Sequence, residues 1–298
     1  MLAADWECAE NTRKRARQSE VFMAGNEEFA VDRRNFLRSA AGAAALAGVT
    51  SSAGEAQQRS ASSGSPSGDA NIPRMKERIA LATRMLTSEG IVGSSGHVSM
   101  RIPGTDHVLV GPSDVSRNVI TADDVVMVDL DSKQLEGNRK RPDETEIHTG
   151  IYRARADVMS IVHTHPTYSV VFSVIKRPIL PVHMHGAIFA EGVPVFDSVG
   201  HINTRELGDG LARALGNRRA VLIKMHGAAI VGPSLEEAFV AAFQLEENAQ
   251  QQLLAEQAGA KVEPMTADDV ARCMKQSWRP ESIQKRWQFY LDKQSLKA

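Results

Sequence analysis

Downstream of residue 72, segments with helical periodicity alternate with short apolar runs, and this alternation restricts the chain to an α/β fold. The first segment, 73–89, has apolar residues at spacings of three and four, a proline in its first turn and a glycine after its end. The motif Ser234-Leu235-Glu236-Glu237 predicts a capping box that opens a long helix. We expect a three-layer α/β/α sandwich around a central mixed, largely antiparallel sheet, with helices at 73–89, 142–155, 204–215 and 234–258 and strands at 98–102, 108–110, 159–163 and 220–225.

The first 71 residues have a different composition. Arg33 and Arg34 precede a Phe-Leu pair and an alanine-rich apolar run, which predicts a twin-arginine signal peptide over 1–56 and a periplasmic location. A basic N-terminus with an accidental arginine pair is the alternative. Residues 57–71 are rich in Ser, Gly, Gln and Pro, so we expect a disordered linker there and a folded domain, with a C-terminal helical tail, over 72–298.

Charge and cysteine content exclude several classes of protein. Thirty-five basic and 36 acidic residues leave a formal net charge of -1, so no bulk field attracts nucleic acid or anionic lipid. No segment reaches the roughly 18 apolar residues of a membrane helix, so we expect no stable membrane anchor. Two cysteines, Cys8 and Cys273, cannot build a disulfide framework or a thiolate zinc finger. A metal site here would need histidine and carboxylate ligands.

Histidines at the ends of predicted strands are the most informative residues. His163 and His165 lie two residues apart, so both side chains leave the same face of a strand and can converge on one cation. His226 follows another apolar run and precedes a glycine, where the missing side chain permits close approach. Glu144 and His148 fall on one face of a predicted helix. The alternative for His163 and His165 is a pair of hydrogen-bonded polar residues at a strand end. For His226 it is an ordinary loop histidine, and for Glu144 and His148 it is a solvent-exposed helix face.

Four motifs carry a family resemblance that covers residues 73 to 260. In order they are Gly96-His97-Val98-Ser99, Pro142-Asp143-Glu144-Thr145-Glu146-Ile147-His148, Val162-His163-Thr164-His165-Pro166 and Met225-His226-Gly227. With this order and spacing the chain resembles the class II aldolase/adducin proteins. Their fold is an α/β/α sandwich, usually assembled as a tetramer with active sites between subunits.

The resemblance also implies the site residues. His163, His165 and His226 would bind one divalent ion per chain, zinc in the first place and manganese in the second. Glu144 stands where the family has the acidic residue that completes the metal shell or acts as acid and base. The resemblance therefore implies a metal-dependent enzyme with a small-molecule substrate.

The sequence departs from the sugar-phosphate aldolases of the family at the positions that hold phosphate. Those positions here are His97, Ser113-Asp114 and Pro142-Asp143. Two carboxylates would repel a dianion, since a like-charge pair about 4 Å apart costs about 4 kcal/mol at an effective dielectric of about 20. We therefore expect His97 and Ser113 to bind a substrate that carries no phosphate.

The proton donor also differs. The tyrosine that aldolases use for proton transfer falls on His183, which can still move a proton but with a different pKa. We therefore expect Glu144 and His183 to be the catalytic groups. The Gly-His-Val-Ser loop and the runs 192–197 and 246–250 look more like the decarboxylase-like branch of the family.

These features predict a divalent-metal-dependent carbon–carbon lyase. Breaking the bond leaves an electron pair that needs a sink, and a metal-stabilised enolate or phenolate provides one. We expect decarboxylation or aldol cleavage of a hydroxy, keto or aromatic carboxylate. A sugar-phosphate aldolase or dehydratase is one alternative, and a non-catalytic adducin-like binding module is another. The aromatic residues near the C-terminus, Trp278, Trp287, Phe289 and Tyr290, would contact a neighbouring subunit or pack on the chain's own core.

Overall fold

An eight-stranded sheet forms the centre of residues 72–296, the part of the chain that this computed structural model describes. The predicted signal peptide and the predicted linker lie outside the described residues. The sheet order is β4-β3-β2-β1-β5-β8-β7-β6, and every neighbouring pair is antiparallel except β6 with β7. The strands are β1 His97–Arg101, β2 His107–Val110, β3 Val126–Asp129, β4 Gln134–Glu136, β5 Ser160–Thr164, β6 Val195–Phe196, β7 Ala220–Ile223 and β8 Gly227–Gly232.

Helices cover both faces of this sheet, which confirms the predicted α/β/α sandwich and its mixed, largely antiparallel sheet. The helices are α1 Ile72–Ser88, α2 Thr145–Ala154, α3 Thr167–Ile175, α4 Arg205–Leu215, α5 Leu235–Gln257, α6 Ala267–Ser277 and α7 Pro280–Ser295. Short 3₁₀ helices span Ala122–Asp124 and Met184–Phe189.

Alternate residues of the central strands enter two separate apolar cores. In β5, Val162 packs into the core that includes α1, α5 and α7, whereas Ile161 packs into the core that includes α2 and α4. In β7, Leu222 packs into the first of these cores and Val221 packs into the second. Both faces of these strands are therefore buried, which explains why they read as continuous apolar runs and not as an alternating pattern.

Most predicted elements form, with shifted ends. The helix predicted from residue 142 begins at Thr145, so Glu144 precedes it as the N-cap residue. The strand predicted over 220–225 ends at Ile223, so His226 lies in the turn before β8 and not at a strand end. Only half of the predicted capping box is present: Ser234 accepts from the Glu237 N–H, while the Glu237 carboxylate pairs with Arg219.

The C-terminal aromatic residues pack on their own chain. Trp287 is buried, and its ring centroid lies 5.0 Å from that of Phe239 in α5. Tyr290 stacks on Phe243 at 4.2 Å. Among these C-terminal rings, Phe289 is largely exposed. Packing against α5 therefore accounts for Trp287 and Tyr290. Within residues 72–296, no helix combines the length and apolar character needed to cross a bilayer.

Candidate metal centre

A cleft with a volume of about 470 Å³ opens where the N-terminal end of β1 meets the C-terminal end of β5. The loop before α2 and the turn between β7 and β8 complete its wall. A volume of this size suits a small-molecule ligand. The predicted site residues that line it are His97, Ser113, Glu144, His165 and His226.

The end of β5 supplies two imidazoles. His163 is fully buried, and its Nδ1–H donates to the carbonyl oxygen of Ala228 at 3.0 Å. That bond fixes the ring orientation and directs Nε2 of His163 toward the other candidate ligands. Nε2 of His165 lies 3.1 Å from Nε2 of His163. The period-two spacing therefore brings the two rings together as predicted.

The third imidazole comes from the turn between β7 and β8. Met225 has a φ of 54°, a left-handed conformation that is uncommon for a residue with a side chain, and it turns the chain directly before His226. The Nδ1–H of His226 donates to the carbonyl oxygen of Gly200 at 2.9 Å. Its Nε2 then lies 3.1 Å from Nε2 of His165.

Glu144 closes the group from the opposite side. Its Oε2 lies 3.7 Å from Nε2 of His163 and its Oε1 lies 3.5 Å from Nε2 of His226. The backbone N–H of Ile202 also donates to Oε1. Burial raises the pKa of Glu144, but contacts with the two imidazoles and with this N–H outweigh burial and hold the pKa well below its usual value. The carboxylate is therefore ionised at neutral pH.

These four side chains fit a divalent cation. Their ligand atoms all lie within 4.8 Å of one another. Nitrogen ligands about 2.0 Å from a tetrahedral zinc ion are separated by about 3.3 Å, close to the two 3.1 Å distances between imidazole nitrogens. Burial, followed by the neighbouring imidazoles of His163 and His226, lowers the pKa of His165 to about 4, so this ring is neutral at pH 7. Three imidazoles and one carboxylate are a zinc-type donor set.

His97 lies beside this group at the end of a buried hydrogen-bonded chain. Its Nδ1 is 2.7 Å from Nε2 of His148, Nδ1 of His148 is 2.7 Å from Oγ of Ser99, and that Oγ is 2.9 Å from the hydroxyl of Tyr152. The Tyr152 hydroxyl has no second partner among residues 72–296, and a buried hydroxyl proton needs an acceptor.

This requirement sets the direction of the chain. Tyr152 donates to Ser99, Ser99 donates to His148, and the Nε2–H of His148 donates to Nδ1 of His97. Burial lowers the pKa of His97 well below its usual value, so the ring is neutral. A neutral His97 that accepts at Nδ1 carries its proton on Nε2, where it can donate to a ligand. Both nitrogens of His148 are thereby used, so this residue is not a metal ligand.

The two remaining predicted residues differ in position. Ser113 borders the cleft, and its hydroxyl is 3.2 Å from the carbonyl oxygens of Lys140 and Arg141. His183 does not line the cleft of its own chain. It lies before the second 3₁₀ helix, where the Asn248 amide oxygen accepts from its backbone N–H and its ring faces the Glu247 carboxylate.

The group around His183 is not a second cation site. The neighbouring His185 donates from Nδ1 to Glu247 at 2.9 Å and accepts at Nε2 from Arg286 at 2.6 Å. Both of its nitrogens are therefore used, and the guanidinium adds a positive charge where a cation would have to bind.

Sequence reasoning missed two features of the cleft. Arg117 and His201 both line it. The acidic residues alone predicted a cleft that repels a dianionic phosphate, whereas the structure adds a buried guanidinium to its wall. The sequence signal for Arg117 was a basic residue three positions after Asp114, in the loop that follows β2.

The hydrogen-bonded chain from Tyr152 to His97 also has a sequence signal, because it joins residues two apart in β1 to residues four apart in α2.

Comparison with known proteins gives one consistent family. Residues 77–253 match the family described as class II aldolase and adducin N-terminal domain. The chain is 32% identical over 210 residues to a 3,4-dihydroxyphthalate decarboxylase from Arthrobacter keyseri, which covers 66% of this chain and 84% of that protein. It is also 32% identical over 160 residues to an L-fuculose phosphate aldolase from Escherichia coli, which covers 53% of this chain and 72% of that protein.

A solved structure supports the same fold. The L-fuculose 1-phosphate aldolase from Glaciozyma antarctica superposes with a TM-score of 0.67 at 23% identity and covers 79% of this chain and 92% of that chain. The match of the family to more than half of the sequence, together with the decarboxylase relative, means that this chain belongs to the class II aldolase and adducin N-terminal domain family.

Proposed function

We propose that the protein is a divalent-metal-dependent lyase that decarboxylates a small hydroxylated carboxylate without a phosphate group, with zinc as the preferred ion. The observation that carries this proposal is the convergence of three imidazoles and one carboxylate in a cleft of small-molecule size. An adducin-like binding module would not need such a donor set. Aldol cleavage of a hydroxy or keto carboxylate needs the same electron sink and is the second reaction that the site supports.

A divalent cation bound at this site would act as a Lewis acid that stabilises negative charge next to the breaking bond. The residues of the chain perform the remaining tasks. His97 donates from Nε2 to a substrate oxygen and so orients the substrate, because its tautomer is set by the chain from Tyr152. When substrate displaces Glu144 from the cation into a drier part of the cleft, the pKa of its carboxyl would rise, and it could then carry the proton that goes to the carbon that keeps the electron pair.

We also propose that the enzyme works as a tetramer. His183 lies outside the cleft of its own chain, so a role in proton transfer requires the cleft of a neighbouring subunit. The loop that carries it is well held, since the Asn248 side chain accepts from the backbone N–H of Val182 and of His183. A rigid histidine at a subunit boundary would suit such a role.

Two relatives define the first experiment, because one is named a 3,4-dihydroxyphthalate decarboxylase and another an L-fuculose phosphate aldolase. Purified zinc-loaded protein is incubated with 3,4-dihydroxyphthalate, with other hydroxylated aromatic carboxylates and with L-fuculose 1-phosphate. We expect carbon dioxide from a carboxylate and no aldehyde from the sugar phosphate. The double variant His163→Ala/His165→Ala should lose both the metal, measured by elemental analysis, and the reaction.

The outcomes separate the alternatives. Aldehyde release from L-fuculose 1-phosphate at a higher rate than carbon dioxide release would make the protein a sugar-phosphate aldolase. Stoichiometric metal without turnover of any substrate would contradict the proposed decarboxylation. Full metal content in the double variant would show that the ion binds elsewhere.

A further inference from the structure

Arg117 is a buried cation in the wall of the cleft. The residue is 5% exposed, and its Nε donates to the carbonyl oxygen of Gly96 at 2.8 Å. Its Nη1 donates to the carbonyl oxygens of Val115 at 2.5 Å and Ser113 at 3.5 Å. These backbone bonds fix the guanidinium plane. Within residues 72–296, no carboxylate lies within ion-pair distance of it.

One nitrogen of this guanidinium is left for a ligand. Nη2 has no hydrogen-bond partner among the described residues, although the side chain lines the cleft. Burial lowers the pKa of Arg117, with the Asp114 carboxylate acting in the opposite direction, but a guanidinium remains charged at neutral pH. A buried guanidinium with no carboxylate of the described residues within ion-pair distance is costly, so an anion from solution would be favoured beside it.

The guanidinium is connected to the metal centre through a short path. Gly96, whose carbonyl oxygen accepts from Arg117, precedes His97, and His97 lies directly across from His163 in the β1–β5 pair. The ring centroids of these two histidines are 5.0 Å apart. One small ligand can therefore reach both the imidazoles and Arg117 within the same cleft.

The chemistry of decarboxylation indicates which group the cation holds. The bond from carbon to the leaving carboxylate breaks, the electron pair stays on that carbon, one proton replaces the lost group, and carbon dioxide leaves without charge. A cation bound to the leaving carboxylate would stabilise the substrate more than the transition state and would slow the reaction. The group beside Arg117 must therefore be an anion that the product keeps.

We propose that Arg117 binds a second carboxylate that the substrate retains, so that the substrate is a hydroxylated aromatic dicarboxylate; this inference rests on the proposed function. A phosphate monoester fits less well, because it concentrates two negative charges on one group in a cleft that the carboxylates of Asp143 and Glu144 also line, whereas a dicarboxylate places one charge on each group. The retained carboxylate would accept from Nη2, and the bond to the leaving carboxylate would face the imidazoles.

Binding measurements with unreactive probes test this assignment. Calorimetry compares phthalate, which has two carboxylates, with benzoate, which has one, on the zinc-loaded full chain. We expect phthalate to bind the parent about tenfold more tightly than benzoate, and Arg117→Met to bind both equally. Arg205→Met, which removes an exposed cation that pairs with Asp131, should keep the preference. An unchanged preference in Arg117→Met would overturn the assignment.

Two further probes test the assignment on the parent protein, without the Arg117 variant. Phthalamate replaces one carboxylate by a neutral amide, so it should bind the parent as weakly as benzoate even if Arg117→Met fails to fold; binding equal to that of phthalate overturns the proposal. Phenyl phosphate should bind more weakly than phthalate, and tighter binding would mean that the site takes phosphate and not carboxylate.

Failure of this inference and failure of the proposed function give different results. An Arg117-dependent preference for phthalate without carbon dioxide release from any hydroxylated carboxylate contradicts the reaction but supports the carboxylate site. Carbon dioxide release from monocarboxylates and dicarboxylates at equal kcat/KM, unchanged in Arg117→Met, supports the reaction and overturns the site.

Discussion

The backbone of Gly227 lies against the imidazole of His165, so that a Cβ added at residue 227 would be 2.7 Å from Cδ2 of that ring. The same Cβ would be 2.5 Å from the carbonyl oxygen of Thr164 and 3.1 Å from Cε1 of His163. The glycine after His226 therefore lets the ends of β5 and β8 approach closely enough for their histidines to converge.

We expect Gly227→Ala to reduce the bound metal by tenfold or more, because the methyl group must displace two imidazoles. Overpacking of this kind also costs about 1–3 kcal/mol of stability. Elemental analysis after dialysis measures the metal content. Gly93→Ala is the matched control, since a Cβ at residue 93 meets no atom within 4 Å. Equal metal content in the two variants would contradict the expected crowding.

Glu144→Gln should lower turnover by about 10²- to 10⁴-fold, the usual contribution of a general acid or base, while most of the metal is kept. The amide preserves the shape of the side chain but cannot carry the proton. Steady-state rates and metal analysis on the same preparation check both parts. The control Glu206→Gln changes an exposed carboxylate in the first turn of α4 and should leave the rate unchanged. Parent-like activity of Glu144→Gln would move the proton transfer to His183, to His97 or to water.

The buried His148 should make the folded state sensitive to mild acid. Burial, followed by the neighbouring imidazole of His163, lowers the pKa of His148 to about 3, whereas an unfolded histidine titrates near 6.5. Above pH 6.5 the ring is neutral in both states and contributes no pH dependence. As the pH falls below 6.5, the unfolded state binds a proton that the folded state does not, so stability decreases by up to about 1.4 kcal/mol per pH unit.

His148→Gln removes this titration while its amide can still accept from Ser99 and donate to His97. Urea unfolding at pH 7, 6 and 5 should therefore give a shallower loss of stability for the variant than for the parent, by about one proton. Identical slopes would mean that His148 is charged in the folded protein or is not buried as described.

The proposed tetramer makes a prediction about activity in mixtures. Light scattering should give four times the mass of the mature chain at micromolar concentration. His183→Ala should be about 10²-fold slower than the parent with normal metal content. If His183 serves the cleft of a neighbour, tetramers refolded from His183→Ala and Glu144→Gln chains should regain activity that neither variant has alone. A monomeric mass, or no recovery in the mixture, would exclude a shared site.

Export is predicted from Arg33 and Arg34, which lie outside the described residues. We expect cell fractionation of a bacterial host to recover the full-length protein's mature form from the periplasm. Changing both arginines to lysine keeps the charge but removes the pair on which the twin-arginine prediction depends. The variant should accumulate in the cytoplasm, and a normal periplasmic yield would contradict the signal.

The sequence predicts the layers of the fold and the convergence of His163 with His165 well, because both depend on local patterns. The two-residue spacing of His163 and His165 on a strand determines their common face before any tertiary contact is known. The position of His226 depends instead on a turn that begins after Ile223 and on a left-handed Met225, which no periodicity indicates. Glu144 was expected inside a helix that begins at residue 142, yet the helix begins at Thr145 and Glu144 is its N-cap residue.

Arg117 illustrates what the sequence could not supply. Its role depends on burial and on three backbone carbonyl oxygens, one from Gly96 and two from its own loop, and neither is visible in a loop sequence. The same holds for His97, whose tautomer depends on a tyrosine 55 residues away, Tyr152, through two intermediate side chains. Hydrogen-bond direction is a property of the folded network and not of residue type.

The four candidate ligands come from three distant segments, with His165 and His226 separated by 61 positions. An ion held by all of them would act as a noncovalent cross-link, and an unfolded chain rarely brings such distant segments together. Its binding free energy then becomes part of the folding free energy, about 2.7 kcal/mol at a free ion concentration one hundred times Kd. The concentration of the free ion would therefore affect the stability of the folded protein as well as the rate of the reaction.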